Sequence, residues 1–174
     1  MLRTIKIITI LFGFVAMTAH AEEGVQSLYY GLEIGNGKFD ASNTVEDTML
    51  DVGGAVGLRL LPFLSVEARL GVGSNDDSSL VGDSEVVRGA GLLKLDYVGD
   101  NGIAYIAGGV GVVNSDRAGV KFDDDGVVVG VGVELFGNEK TALSISYTNY
   151  ERDKAKLDYT VANIGFRHYF GAQF

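Results

Sequence analysis

Val127-Val128-Val129-Gly130-Val131-Gly132-Val133-Glu134-Leu135 decides the fold of this chain. Every second residue, from Val127 to Leu135, is aliphatic, and between them stand Val128, Gly130, Gly132 and Glu134. A helix would scatter the five aliphatic residues around its circumference, whereas a strand lines them along one side. Strict period-two alternation therefore predicts a β-strand with one apolar face and one face of small and charged residues.

Working outward, the same pattern recurs along the chain. Leu28, Tyr30, Leu32 and Ile34 alternate with Tyr29, Gly31, Glu33 and Gly35, and Leu64, Val66, Ala68, Leu70 and Val72 alternate with Ser65, Glu67, Arg69, Gly71 and Gly73. Eight strands are predicted, near residues 27–38, 48–60, 63–73, 85–97, 103–114, 126–136, 141–150 and 158–170. Each is long enough to cross a bilayer when tilted, which takes about 9–11 residues. The connections alternate in length. Short ones carry turn formers: Pro62, Asp100-Asn101-Gly102 and Gly137-Asn138. The others, 39–47, 74–84, 115–125 and 151–157, are longer and rich in Asp, Ser and Asn. Short turns at one rim and longer loops at the other are the pattern of a transmembrane barrel with its turns in the periplasm. The predicted fold is all-β: an eight-stranded antiparallel up-and-down transmembrane β-barrel.

The second face decides which side points in. It carries Glu33, Asp51, Arg59, Glu67, Arg69, Arg88, Lys94, Asp96, Glu134 and Arg167 among many glycines. A soluble barrel, such as a periplasmic carrier, would turn its aliphatic face inward and these charges toward water. Glycine argues for the opposite orientation. Each strand glycine weakens the strand, so a merely solvated face gains nothing from many of them. A narrow lumen uses them to make room for opposed charges. The ten residues are expected to form a lumenal charge network, with Glu67–Arg69 and Lys94–Asp96 as pairs. Aromatic residues are expected to form two interfacial girdles: Tyr29, Phe63, Tyr97, Tyr105, Phe136, Tyr169 and Phe170 at the periplasmic rim, and Phe39, Tyr147, Tyr150 and Tyr159 at the outer rim.

Residues 1–21 read as an export signal: basic Arg3 and Lys6, an apolar run from Ile7 to Met17, then Ala19-His20-Ala21. The run is too short to span a bilayer as a helix, which needs about 20 residues. Residues 22–174 are then the barrel domain, with 12 basic and 23 acidic residues. That balance argues against nucleic acid or anionic lipid surfaces as partners. With no cysteine in the chain, disulfides, thiolate chemistry and Cys-based zinc sites are excluded.

On these residues the sequence resembles the outer-membrane β-barrel family that includes opacity-type porins and the transmembrane domain of outer-membrane protein A. Leu28-Tyr29-Tyr30-Gly31-Leu32 looks like that family's first strand, and Gly57 to Glu67 like its second hairpin. Asn163-x-Gly165-x-x-His168-x-Phe170, with the terminal Phe174, looks like its C-terminal assembly signal. His168 departs from the commoner Tyr or Phe, and residues 171–174 run past the motif. The resemblance implies the outer membrane of a Gram-negative bacterium, lipid and lipopolysaccharide as surroundings, and insertion by the barrel-assembly machinery. It implies no single activity.

Catalytic machinery is not legible. After removal of the signal, His168 is the one histidine, too few for a three-His zinc site, and no Ser lies two residues from it. Its neighbours make it an interfacial aromatic. No Gly-x-x-x-x-Gly-Lys phosphate cradle occurs. Asp76-Asp77, Asp83, Asp116 and Asp123-Asp124-Asp125 are expected in solvated outer loops, where clustered carboxylates can meet divalent cations such as those bridging lipopolysaccharide. The expectation is a non-enzymatic barrel without a cofactor, with a structural or surface-interaction role through its outer loops and an unidentified external ligand. A narrow pore for small solutes or ions is the alternative, and a soluble periplasmic carrier a weaker one.

Overall fold

A computed structural model of the chain describes residues 27–41, 47–75, 84–117, 120–151 and 157–170. The segment read as an export signal, the Asp76-Asp77 and Asp83 positions, and Phe174 lie outside the described residues. Eight strands follow one another: β1 (Ser27–Ala41), β2 (Asp47–Leu61), β3 (Leu64–Asn75), β4 (Ser84–Gly99), β5 (Gly102–Arg117), β6 (Val120–Asn138), β7 (Thr141–Tyr150) and β8 (Leu157–Phe170). Each pairs antiparallel with the next, and β8 returns to β1, from Leu28 opposite Phe170 to Ala41 opposite Leu157. The sheet is a closed eight-stranded barrel. Closure leaves no edge strand to satisfy, which is what a sheet requires inside lipid.

The turns of one rim are tight. Gly99 pairs with Gly102, so Asp100-Asn101 alone joins β4 to β5. Between β6 and β7 the Asn138 side-chain oxygen accepts the backbone N–H groups of Lys140 and Thr141, both at 2.9 Å, an Asx turn that supplies the reversal. Pro62 and Phe63 join β2 to β3 beside a register shift at Arg59–Leu61; Pro62, with its φ preset, suits a turn and has no N–H to lose.

The opposite rim differs from the reading of the sequence. The predicted loop 115–125 is mostly strand: β5 and β6 stay paired as far as Arg117 opposite Val120, so Asp116 and Asp123–Asp125 sit on strands. Asp weakens a strand in general, but Lys121 stands opposite Asp116 and Asn114 opposite Asp123. At Asp123 the polar cross-strand neighbour Asn114 offsets part of that penalty. Among the described residues β7 ends at Tyr150, opposite Val128, and β6 is paired with β5 from Val120 to Gly126.

The aliphatic face points out. Leu70, Val129 and Val131 are 69%, 44% and 52% exposed, while Glu67 and Arg69 are 4% and 1% exposed. In water such a wall would be an enormous apolar patch. As a belt against hydrocarbon it is the outer surface of a membrane barrel.

Candidate functional site

The lumen is where the polar chemistry collects. All ten charged residues singled out on the second face are buried, Asp96 the most exposed of them at 7%. Five are acidic and five basic, and they come from six strands.

In the outer half, Arg88 of β4 clamps Asp51 of β2 with two N–H groups, Nε to Oδ2 at 3.0 Å and Nη2 to Oδ1 at 2.6 Å. The planar guanidinium suits such forked recognition of a carboxylate. Its Nη1 donates to the Tyr150 hydroxyl at 2.9 Å, and Nη2 also reaches Glu33 at 3.3 Å. Tyr159 donates to Asp51 at 3.1 Å. Glu33 further accepts from Asn163 at 3.2 Å and from Arg167 at 3.1 Å.

In the inner half, Glu67 receives Arg69 Nε, the Tyr29 hydroxyl at 2.8 Å and Lys94 at 3.4 Å. Arg69 spans the lumen to Thr148 at 2.9 Å and Tyr105 at 3.0 Å. Lys94 reaches Glu134 of β6 at 3.0 Å and lies 4.0 Å from the centre of the Tyr105 ring, a cation–π contact. Tyr169 donates to Glu134. Nearest the short turns, Arg59 pairs with Asp96 at 3.4 Å, and Ser65 donates to Asp96.

Glu67 and Arg69 therefore meet as read from the sequence, but the expected Lys94–Asp96 pair is replaced. Lys94 crosses to Glu67 and Glu134, and Asp96 takes Arg59. Lys94 finds its carboxylates on the adjacent strand β3 and on β6, not two residues along its own strand.

The girdle assignment also needs correction. Tyr29, Tyr105, Tyr150, Tyr159 and Tyr169 are inside the barrel, none more than 4% exposed, with Phe136 half-buried against Tyr169. Their hydroxyls bond the lumenal charges, a task a lipid-facing ring could not perform. The sequence held the signal: Tyr29 shares parity with Glu33, and Tyr169 with Arg167. The exposed aromatics near the short-turn rim include Tyr30, Phe63, Tyr97 and Phe170, and Tyr147 is exposed on β7. Phe39's side chain lies outside the described residues.

His168 stands on the outer wall, its ring 5.6 Å from Tyr30 and 5.2 Å from Phe170, with Thr141 Oγ1 3.2 Å from Nδ1. No carboxylate is among these contacts to orient it as a catalytic base. Of the C-terminal motif, Asn163 faces the lumen, Gly165 lies opposite Glu33 on β1, and Phe170 faces out. Among the described residues no group of three or more His, Asp or Glu side chains could hold a metal ion.

Comparison with known proteins fits this geometry. The profile of the family described as outer membrane protein beta-barrel domain matches residues 7–170. The chain belongs to that family. Solved structures share the outer-membrane barrel architecture at low sequence identity. Neisserial surface protein A superposes with a TM-score of 0.70 at 14% identity, over 85% of this chain and 100% of that one. The attachment invasion locus protein of Yersinia pestis, solved with the heparin analogue sucrose octasulfate, gives 0.65 at 9% identity, over 83% and 99%. The outer membrane protein OprG of Pseudomonas aeruginosa gives 0.60 at 14%, over 84% and 96%. No curated protein sequence matches the chain significantly.

Proposed function

We propose that this protein is an integral outer-membrane barrel with a structural or surface-interaction role carried by its outer connections, and that it is neither an enzyme nor an open pore. One observation carries the reading: side chains bridge the lumen between strands that are not neighbours, Arg69 of β3 to Thr148 of the opposite strand β7 and Lys94 of β4 to Glu134 of β6. An eight-stranded barrel is just wide enough to be filled this way. With the interior occupied, the surface left for recognition is the outer rim, to which β5 and β6 carry Asp116, Asp123 and Asp125.

Residues 1–21 act in this reading as the export signal, and the barrel-assembly machinery inserts residues 22–174 among lipid and lipopolysaccharide. Two barrels of similar architecture are named for the cell surface, Neisserial surface protein A and the attachment invasion locus protein. The second was solved with a heparin analogue. The outer strands here carry Asp116, Asp123 and Asp125, and the chain has a net charge of −9, so a sulfated polyanion is repelled and a cationic partner is favoured.

Planar-bilayer recording tests the reading: the purified barrel is expected to show no steady conductance. A steady open channel would overturn it in favour of a narrow pore. Heat modifiability in outer-membrane fractions tests the location, since a folded barrel migrates differently unboiled and boiled. Identical migration with the protein in the soluble fraction would falsify the membrane assignment.

A further inference from the structure

The inward positions change character along the barrel. From the short turns as far as Asp51, Arg88 and Asn163 the lumen is crossed by charges, tyrosines and hydroxyls. One inward position farther out it becomes apolar. Met49 lies two residues beyond Asp51 on β2, Val86 two beyond Arg88 on β4, and Val161 two beyond Asn163 on β8. Val113 and Val128 join them from β5 and β6, and all five pack with Tyr159 at the outer end of a buried cluster that also takes in Tyr150 and runs down the β4–β5 side through Ala90, Leu92, Tyr105 and Ala107. None of the six is more than 2% exposed. On β1 and β3 glycines make the room. A side chain at Gly37 would run into the Tyr159 ring, and a Cβ at Gly73 would lie 2.9 Å from the Tyr159 hydroxyl and 3.0 Å from Met49 Sδ. The Tyr159 hydroxyl is turned to Asp51 at 3.1 Å, so its ring presents carbon to this layer, at whose outer edge the buried Ser115 and Asp124 stand opposite Val86 and Val113.

Below the layer, polar atoms outnumber their partners. Arg167 Nε and Nη1, Asn163 Oδ1, Asp96 Oδ1 and Ser27 Oγ are buried with no hydrogen-bond partner among the described residues. They form a series from the short-turn end, at Ser27 and Asp96, through Arg167 in the middle, to Asn163 immediately beneath the apolar ring. A buried polar group left dry costs about 1–3 kcal/mol, and sites with several convergent polar atoms are where proteins hold internal water.

We propose that the lumen is hydrated from its periplasmic end up to Asn163, and that the ring of Met49, Val86, Val113, Val128, Tyr159 and Val161 is the seal that separates this water from the outer surface. Apolar constrictions exclude water by dewetting. The ion pairs beneath organise the lumen, while the ring closes it.

Silver ion is a suitable probe, because it reacts with a thiol wherever water carries it, forming a silver thiolate and releasing a proton. The chain has no cysteine of its own, so each introduced one is the sole thiol. Ser146→Cys and Asn163→Cys place it beneath the ring, on facing positions of β7 and β8. Val113→Cys and Val161→Cys place it within the ring. In folded protein in detergent micelles, with both ends open, the two lower sites are expected to react at least ~10-fold faster than the two ring sites, each rate being normalised to the same variant unfolded in urea. Equal rates at ring and lower sites would remove the seal; lower sites as inert as the ring would remove the water. Two sites at each level keep the comparison intact if one variant fails the folded-band test on a gel. The outcome is independent of what the outer rim binds, so the seal can fail while the surface-interaction reading stands.

Discussion

Glycine positions in this barrel divide by what a methyl group would meet. Tyr29 stands opposite Gly57, and Tyr105 opposite Gly132. In both pairs a Cβ on the glycine would run into the tyrosine ring of the neighbouring strand. The ring covers the glycine and restores the packing that the missing side chain gives up, and its hydroxyl is thereby aimed at the lumenal charges. Gly91 is the contrary case, since a Cβ there meets nothing within 4 Å. Gly57→Ala is expected to destabilise the barrel by about 1–3 kcal/mol through overpacking. Gly91→Ala is expected to be neutral or to stabilise by about 0.4–1 kcal/mol, by restricting the unfolded chain. With no tryptophan in the chain, the fraction of the faster-migrating folded band across a urea series measures both. A larger loss at Gly91 than at Gly57 would contradict the argument. The tyrosines were the part of the site least legible in the sequence. Tyrosine is common both at lipid interfaces and in lumens, and only parity with a nearby charge separates the two.

A strand here is legible because its two faces obey different chemistry. On β6 the odd residues from Val127 to Leu135 touch hydrocarbon, while Val128 and Glu134 point into the lumen and are buried. Lipid on one side and fixed charge on the other punish any slip of one residue, which would invert both faces. That is why the strand order, the orientation and all ten lumenal charges could be read from alternation alone. The strand ends could not. Toward the outer rim the lipid constraint lapses, so the Asp-rich segment of β6 resembled a solvated loop, although Asp124 turns inward and is buried between the exposed Asp123 and Asp125. Val131→Arg, near the middle of the lipid belt, is expected to cost about 2–4 kcal/mol, seen as a lower urea midpoint in lipid vesicles. The same substitution at Asp123, on the outer part of β6, should move that midpoint by less than about 0.5 kcal/mol. Equal effects at the two positions would show that β6 crosses the bilayer elsewhere.

Across the molecule, the ten charges read from the sequence set five buried acids against five buried bases, with Asp124 a further buried acid, and individual residues serve several partners. Lys94 answers to Glu67 and Glu134 together. Its removal in Lys94→Met leaves Glu134 without its cation and is expected to cost about 3–5 kcal/mol. Adding Glu134→Gln should return part of that loss, with a coupling of about 0.5–3 kcal/mol in the double-mutant cycle. Strict additivity of the two substitutions would mean that the contact contributes nothing. Which partner each charge takes was not readable from the sequence, because it depends on which walls face each other once the sheet has closed.

The distribution of those charges constrains the route by which the barrel enters its membrane. β4 alone carries Arg88, Lys94 and Asp96, and β3 carries Glu67 and Arg69. Each would be stranded in hydrocarbon if its strand were threaded singly, at several kcal/mol for every unaccompanied ion. Among the described side chains β5 and β7 bring no lumenal ion of their own. Charged strands must therefore already be sheltered beside their counterions as they travel inward, so the wall is delivered as a partly curled sheet whose polar concave side stays wet until the last strand zips against the first.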